Sequence, residues 1–305
     1  MSRAKQGFRR GLPLARAVAG IVLLAFITLL FKAKAEEKTR HFRARQVFQY
    51  GQPILFEADF AADGFDRLNL SIDGRYRLPA PEPDRLAITA APGEKEKAAA
   101  VAFTVPRAAN SYRSEISLPS EKGFQERWYR IRLLVPDDWQ VDHGKGADIV
   151  VQWHAVPGNW RATYPNLAIA VEGEHWWIKQ SFGNAQQGPS RPKLKLDAPI
   201  VPGQWTTWVI HARWSPKEDG RLRVWQNEVQ VADLKGPNVY GSIGLEYTPY
   251  LKTGIYHPEW NLSDERKTKA FSAEENPVTR KRIYVSELLV GDASADFTPQ
   301  ASPKP

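Results

Sequence analysis

The sequence has 305 residues, of which 42% are hydrophobic and 11% aromatic, enough to bury the core of one all-β domain with tails. Residues 1–35 hold seven of the 42 Lys and Arg and no Asp or Glu, which leaves 35 basic against 34 acidic residues in the rest of the chain despite a formal charge of +8. We therefore expect no nucleic acid partner, and affinity for a polyanion would need a local cluster. The absence of cysteine excludes disulfides, thiolate nucleophiles and cysteine-bound metals.

Residues 1–35 have the pattern of a signal peptide. A basic region ends at Arg16, an apolar run of 15 residues follows to Phe31, and Ala33-Lys34-Ala35 resembles a cleavage site. A membrane-spanning helix needs about 20 apolar residues, so the run is short for a permanent span. We expect export to the periplasm or out of the cell, with an uncleaved inner-membrane anchor as the alternative.

The rest of the chain reads as one β-domain between two polar segments. Charged residues 36–52 predict a spacer, residues 53–291 the domain, and the Pro-rich residues 292–305 a disordered tail. Short alternating runs separated by Gly and Pro turns predict strands, for example over Trp128–Val135, Asp148–Ala155 and Trp205–Trp214. This rhythm, without a sustained helical period, favours a sandwich or jelly roll.

Three short segments of these strands carry an unusual set of polar side chains. They are Arg113-Ser-Glu115, Gln152-Trp-His154 and Tyr250-Leu-Lys-Thr-Gly-Ile-Tyr256. Because side chains alternate along a strand, each segment presents its polar residues on one face. The sequence therefore predicts a polar surface with a cation, an amide, an imidazole and a phenol.

These segments resemble the R-[ST]-E, Q-x-H and Y-x-K-x-G-x-Y signatures of jelly-roll polysaccharide lyases. The nearest resemblance is to the heparin lyase I and glucuronan lyase group, over about Pro53 to Gly291, and alginate lyases share the motif logic. The resemblance implies a concanavalin A-like β-jelly roll of two antiparallel sheets. It also implies β-elimination at a uronic acid, with an unsaturated uronate as product.

The resemblance assigns catalytic roles to four residues. Arg113 and Gln152 would meet the substrate carboxylate as negative charge develops on it, and His154 and Tyr256 would supply the base and the acid. Tyr256 could also serve as both, depending on the substrate's stereochemistry. Lys252 lies too far along the strand to tune Tyr256, at roughly 13 Å, so we expect it to bind acid groups of the substrate.

Further residues are candidates for substrate binding. We expect Glu115 to orient Arg113, Tyr250 to pack or to stack on sugar, Asn238 to contact substrate, and Trp160 to form a sugar platform in its loop.

Two other functions fit the same fold. A sandwich glycoside hydrolase would need two carboxylates around the bond, and the E-x-D-x-x-E pattern is absent because Glu57-Ala-Asp59 lacks the third acid. A noncatalytic lectin-like module would not need His154 and Tyr256 together. We expect an acidic polysaccharide as partner, a monomer, no catalytic cofactor or metal, membrane contact only through an uncleaved N-terminus, and leave a structural calcium ion open.

Overall fold

The computed structural model describes residues 47–94, 98–108, 110–141, 146–155, 164–184, 188–241, 246–261 and 278–299. The predicted signal segment, most of the predicted spacer and Trp160 lie outside these residues. No helix in the described ranges is long and apolar enough to cross a membrane.

Twenty strands and one short 3₁₀ helix make up the described chain. In chain order the elements are β1 (Ile54–Glu57), β2 (Asn69–Ile72), β3 (Arg75–Tyr76), β4 (Leu86–Ala90), β5 (Ala99–Pro106), β6 (Arg113–Ser117), β7 (Glu121–Lys122), β8 (Glu126–Leu134), β9 (Asp148–His154), β10 (Leu167–Glu172), β11 (His175–Gln180), β12 (Phe182–Asn184), β13 (Gly188–Ser190), β14 (Lys193–Pro199), β15 (Trp205–Arg213), β16 (Arg221–Gln226), β17 (Val229–Lys235), β18 (Tyr247–Thr248), β19 (Tyr250–Tyr256), the 3₁₀ helix (Pro258–Trp260) and β20 (Arg280–Gly291).

The strands form two large antiparallel sheets, which confirms the predicted jelly-roll sandwich. The first sheet has the order β17-β16-β15-β8-β20-β5-β4, with β1 also paired to β20, and the second has the order β14-β11-β10-β9-β19-β6-β2-β3. A tight turn at Gln226-Asn227-Glu228 joins β16 to β17, and Asn227 takes the positive φ of 54° that suits such a turn.

The core lies between the two sheets because each inner strand alternates apolar residues inward with other residues outward. On β11, Trp176 and Ile178 are buried while Trp177 is only partly covered. Aromatic pairs cross from sheet to sheet: Trp176 meets Trp208 with ring centroids 5.3 Å apart, and Tyr129 meets Trp153 at 5.1 Å. Each such edge-to-face pair stabilises the fold by about 0.5–1.5 kcal/mol beyond the contribution from burying the two side chains.

Both ends of the domain extend beyond the predicted limits of 53 and 291. Phe48 is buried in the core, and the Gln49 amide donates to the Leu55 carbonyl 2.7 Å away. At the other end, Ala295 is buried and Phe297 packs against Trp128. The predicted spacer and tail were therefore too long at these ends, because single apolar residues in polar segments find partners on the folded domain.

Candidate active site

A groove crosses the middle of the second sheet. Its cavity has a volume of about 940 Å³ and opens over β19, which pairs with β9 on one side and with β6 on the other. Residues of β2, β3, β6, β9 and β19 line its centre: Asn69, Ser71, Tyr76, Arg113, Gln152, His154, Tyr250, Lys252 and Tyr256.

Strand register brings the three sequence segments together. Arg113 lies opposite Tyr256 on the β6 side, while Gln152 lies opposite Lys252 on the β9 side. His154 faces Tyr250, and their ring centroids are 5.9 Å apart. The predicted meeting of guanidinium, amide, imidazole and phenol on one face is therefore present in the structure.

The carboxylate of Glu115 lies beneath this surface, where an amide and two cations surround it. Gln152 Nε2 donates to Glu115 Oε1, and Lys252 Nζ donates to Oε2, each at a distance of 2.5 Å. Arg113 Nε lies 3.1 Å from Oε2, without hydrogen-bond alignment. Since a carboxylate only accepts, it fixes the Gln152 amide with its nitrogen toward Glu115.

These contacts revise the expected roles of Lys252 and Glu115. Lys252 is 4% exposed and holds Glu115, so it is not a free cation awaiting an acid group of the substrate. Glu115 is 1% exposed and lies outside the groove lining, where its carboxylate holds Gln152 and Lys252 and lies within ion-pair distance of Arg113. Two cations around one carboxylate leave one net positive charge under the groove floor.

Arg113 is also enclosed by tyrosines. Its Cζ lies 4.5 Å from the ring centre of Tyr256, 5.1 Å from that of Tyr76 and 5.6 Å from that of Tyr112, and its Nη1 donates to the Tyr76 hydroxyl. Burial works against the guanidinium charge, but the Glu115 carboxylate and the Tyr76 hydrogen bond outweigh it and raise the pKa of Arg113. Arg113 is therefore cationic throughout the working pH range.

Tyr76 is a site residue that the sequence analysis missed. It is 60% exposed and stands at the edge of the groove on β3, opposite Ser71. The turn Asp73-Gly74 joins β2 to β3, and an Asp-Gly pair between two extended runs is a hairpin signal. Reading that hairpin would have placed Tyr76 beside Ser71, which itself pairs with Glu115.

Asp73 in this turn fixes the start of β6. Its Oδ1 accepts from the amides of Tyr112, at 2.8 Å, and Arg113, at 3.1 Å, and it pairs with Arg85. Burial opposes its charge, but the Arg85 hydrogen bond and the two amides prevail and lower the pKa of Asp73. The backbone that carries Arg113 is thus held by a charged side chain from the neighbouring hairpin.

His154 has a defined tautomer. Its Nδ1 lies 2.8 Å from the Ala155 carbonyl oxygen, which can only accept, so Nδ1 carries the proton and Nε2 keeps its lone pair. Burial lowers the pKa of His154, opposed by the Ala155 carbonyl and aided by the nearby Lys252 charge. The imidazole is therefore neutral near pH 7 and able to accept a proton.

The two tyrosines of β19 keep their protons. Burial raises the pKa of Tyr250 to about 12, helped by the Glu115 carboxylate. Burial also raises the pKa of Tyr256, although the Arg113 charge pulls in the opposite direction. Tyr256 is thus a phenol at neutral pH, beside a cation that would stabilise its phenolate.

A second buried charge network lies at the end of β19, directly after Tyr256. His257 Nδ1 lies 2.8 Å from Asp148 Oδ1, and Lys281 Nζ lies 3.0 Å from Asp148 Oδ2. Burial opposes the Asp148 charge, yet His257 and Lys281 outweigh it and lower the pKa of this carboxyl. The network ties the end of β19 to the starts of β9 and β20, and so fixes the backbone at Tyr256.

Two predicted binding residues are not part of this cluster. Asn238 is buried and lies outside the groove lining. Its Oδ1 accepts from the Ser215 amide and its Nδ2 donates to the Arg213 carbonyl, each at a distance of 2.9 Å. Its amide is used to hold a loop, so the expected substrate contact is wrong. Trp160 lies outside the described residues. Among the described residues, no group of three or more His, Cys, Asp or Glu could hold a metal ion.

Comparison with known families identifies the chain. The family model described as Polysaccharide lyase matches residues 63–278, which is more than half of the sequence. The chain belongs to the polysaccharide lyase family. This lyase carries all four predicted catalytic residues within the matched range.

Solved structures show the same fold. The endo-β-1,4-glucuronan lyase from the fungus Trichoderma reesei aligns with a TM-score of 0.57 and 14% identity over 77% of this lyase and 98% of that chain. A glycoside hydrolase family 16 endo-glucanase from Bacteroides ovatus aligns with a TM-score of 0.50 and 12% identity over 77% and 99% of the two chains. At such identities the likeness concerns the fold alone. No curated protein matches the sequence of this lyase.

Proposed function

We propose that this lyase cleaves a polysaccharide containing uronic acid by β-elimination. The observation that carries the proposal is that a neutral His154 and a protonated Tyr256 line one groove, over a floor with one net positive charge. A uronate carboxylate over this floor would have Arg113 as its nearest cation. The same arrangement would give a neutral sugar little to bind.

The reaction moves one proton off the sugar and one onto the leaving group. His154 Nε2 takes the proton on C5, the electron pair forms the C4–C5 double bond, and the C4–O bond breaks. Tyr256 gives its proton to the departing oxygen, and its phenolate is stabilised by Arg113. As negative charge develops on the substrate carboxylate, the positive floor stabilises the transition state more than the ground state.

The protonation states favour His154 as base and Tyr256 as acid. A raised pKa makes Tyr256 a poor base at neutral pH, whereas a lowered pKa keeps His154 ready to accept. Tyr256 in both roles is the alternative, and it requires the phenolate to form first beside Arg113. The two schemes predict that different variants lose the fall in kcat/KM at low pH. A His154 variant loses it if His154 is the base, and a Tyr256 variant loses it if Tyr256 has both roles.

Hydrolysis fits the site less well. A glycoside hydrolase needs two carboxyl groups on either side of the scissile bond. Glu115, the carboxylate beneath the centre of this groove, is buried, accepts from Gln152 and Lys252, and lies outside the groove lining. It is therefore not accessible to a sugar.

Glucuronan is the first polymer to test, because the Trichoderma reesei neighbour is a glucuronan lyase and the sequence motifs resemble that group. Heparin and alginate are the next candidates on the same motif resemblance.

We also propose that residues 1–35 direct the enzyme out of the cytoplasm and that it acts as a monomer. A structural calcium ion, if present, would show as a lower melting temperature after chelation.

The test is a screen of uronate polymers for absorbance of the unsaturated product. We expect product with the wild-type chain, and a loss of about 10²–10⁴-fold in kcat for Tyr256→Phe and His154→Gln. Tyr284→Phe, on β20 of the first sheet, is the control and should keep full activity. Full activity in Tyr256→Phe would refute the mechanism, and products without unsaturation would indicate hydrolysis.

The pH profile tests the assignment of the base. Since only neutral His154 accepts a proton, kcat/KM should fall as pH drops through a pKa below the ordinary value of about 6.5. Above that pKa the rate should stay level until Tyr256 begins to ionise. In His154→Gln the residual rate should lack the acid limb; an unchanged limb would assign it to another group.

A further inference from the structure

The groove continues past the catalytic centre over β10, β11 and β14. Its lining there includes Glu172, Lys179 and Lys193. Cross-strand pairing places Gln152, Ala168, Lys179 and Lys193 in one row perpendicular to the strands. A bound chain that follows this row from the catalytic centre would therefore pass over Lys179 and Lys193.

Between the centre and this end of the groove, the row crosses β10 at Ala168. Ala168 and Ala170 point away from the core that Leu167, Ile169 and Val171 enter. Both alanines are buried beneath their neighbours, so no long side chain rises from β10 at these positions.

Cations are concentrated at the far end of the row. Lys193 Nζ lies 4.8 Å from the ring centre of Trp177, and Lys195 pairs across the strand with the same tryptophan. Arg191 stacks on Tyr164 with its Cζ 3.6 Å from the ring centre. We call Lys179, Lys193, Lys195, Arg191 and Trp177 the cationic arm.

The arm carries excess positive charge. Lys179 is matched by Glu172, 3.1 Å away. Among the described residues, no carboxylate lies within ion-pair distance of Lys193, Lys195 or Arg191. Three cations are thus available to an anionic ligand, next to an aromatic ring that can pack against a sugar.

The distance from the catalytic centre fits a chain of linked sugars. Neighbouring strands lie about 4.8 Å apart, so Lys179 is about 10 Å and Lys193 about 14 Å from Gln152 along the row. One strand spacing is close to the length of one pyranose in a 1,4-linked chain. The arm would then meet the second and third sugars beyond the one at the catalytic centre.

We propose that the cationic arm is a distal subsite, which binds the carboxylates of the same uronate chain about two to three sugars from the bond that is cleaved. This inference rests on the proposed function. It gives the enzyme a preference for longer chains, because short oligomers held at the centre do not reach the arm. Binding at the arm is electrostatic and weakens with salt.

The test compares oligomer lengths in the double variant Lys193→Gln, Lys195→Gln. On glucuronate oligomers long enough to span the row, we expect KM to rise about five- to tenfold with kcat unchanged. On trimers the kinetics should equal those of wild type. The control Lys217→Gln, Lys235→Gln, outside the groove lining, should behave as wild type on both.

Two outcomes overturn the proposal: an equal change on short and long oligomers, or no change on either. If the wild-type chain forms no unsaturated product from any uronate polymer, the proposed function fails and the arm is tested by calorimetric titration with polyglucuronate at low ionic strength. Weaker binding by the double variant would support the subsite. Equal binding by both chains, or binding by neither, would refute it.

Discussion

At the scale of single residues, the charge of Glu115 keeps the polar cluster of the groove assembled. Gln152 and Lys252 donate hydrogen bonds to this one carboxylate, whose side chain is 2% exposed, and Arg113 lies within ion-pair distance of it. Burying two cations is tolerable only because the carboxylate lies between them. The net charge of the floor, and the orientation of the Gln152 amide, both follow from it.

Replacing Glu115 by Gln should therefore unfold the protein more easily. The amide leaves Arg113 and Lys252 buried without a counter-charge, and breaking such a buried pair costs about 3–5 kcal/mol. Chemical denaturation should show this loss in the free energy of unfolding, together with lost activity. The control is Glu82→Gln, whose partner Arg75 is exposed, and it should unfold as wild type does. Equal stability of the two variants would contradict the central role of Glu115.

At the scale of elements, β19 holds the site together through a glycine. Gly254 has a φ of +137°, and a Cβ there would lie 2.2 Å from the Ser114 carbonyl oxygen of β6. The pairing with β9 is irregular between Thr253 and Tyr256. The absent side chain lets β6 approach, and so brings Arg113 opposite Tyr256.

Gly254→Ala should be strongly destabilising for this reason. Both the backbone strain at positive φ and the clash with Ser114 oppose the methyl group, so we expect a loss of about 3 kcal/mol or more in the free energy of unfolding. Gly173→Ala is the matched control, since Gly173 has a φ of +63° but no atom within 4 Å of its added Cβ. That variant should lose only about 1 kcal/mol. Similar losses in thermal melts of both would refute the role of close packing at Gly254.

At the scale of the whole molecule, the ends of the domain contribute to its stability. Phe48 belongs to the main core, while Ala295 and Phe297 cover Trp128 on the first sheet. Trimming the chain to residues 53–291, as the composition suggests, would remove these contacts. Each buried aromatic or aliphatic side chain contributes about 1.5–3 kcal/mol.

We therefore expect a chain of residues 53–291 to melt at a lower temperature than one of residues 47–299. Differential scanning calorimetry measures the difference directly. The single variants Phe48→Ala and Phe297→Ala in the full chain serve as controls and should each account for part of it. Identical melting temperatures of the two trimmed chains would show that these end contacts add nothing.

Local sequence patterns predicted many of the strands and the residues that share the groove face. Alternating runs predicted strands such as Asp148–Ala155, and three spaced motifs predicted which residues share a face, because the side-chain period of two is a local property of strands. The strand Ala99–Pro106 went unpredicted, although Val101, Phe103 and Val105 alternate along it and have high β-propensity. Its place beside β20 comes from the packing of the two sheets.

By itself the sequence determined the jelly-roll class, the family motifs and the identity of Arg113, Gln152, His154 and Tyr256 as a polar set. Only the tertiary structure decided what each polar group is bonded to. It pairs Lys252 with Glu115, places Tyr76 beside Arg113 in the groove, and shows that the amide of Asn238 holds a loop outside the groove. The reason is physical: periodicity fixes the face on which a side chain lies, but its charge state and partners depend on strand register and burial, which arise from contacts between residues far apart in the chain.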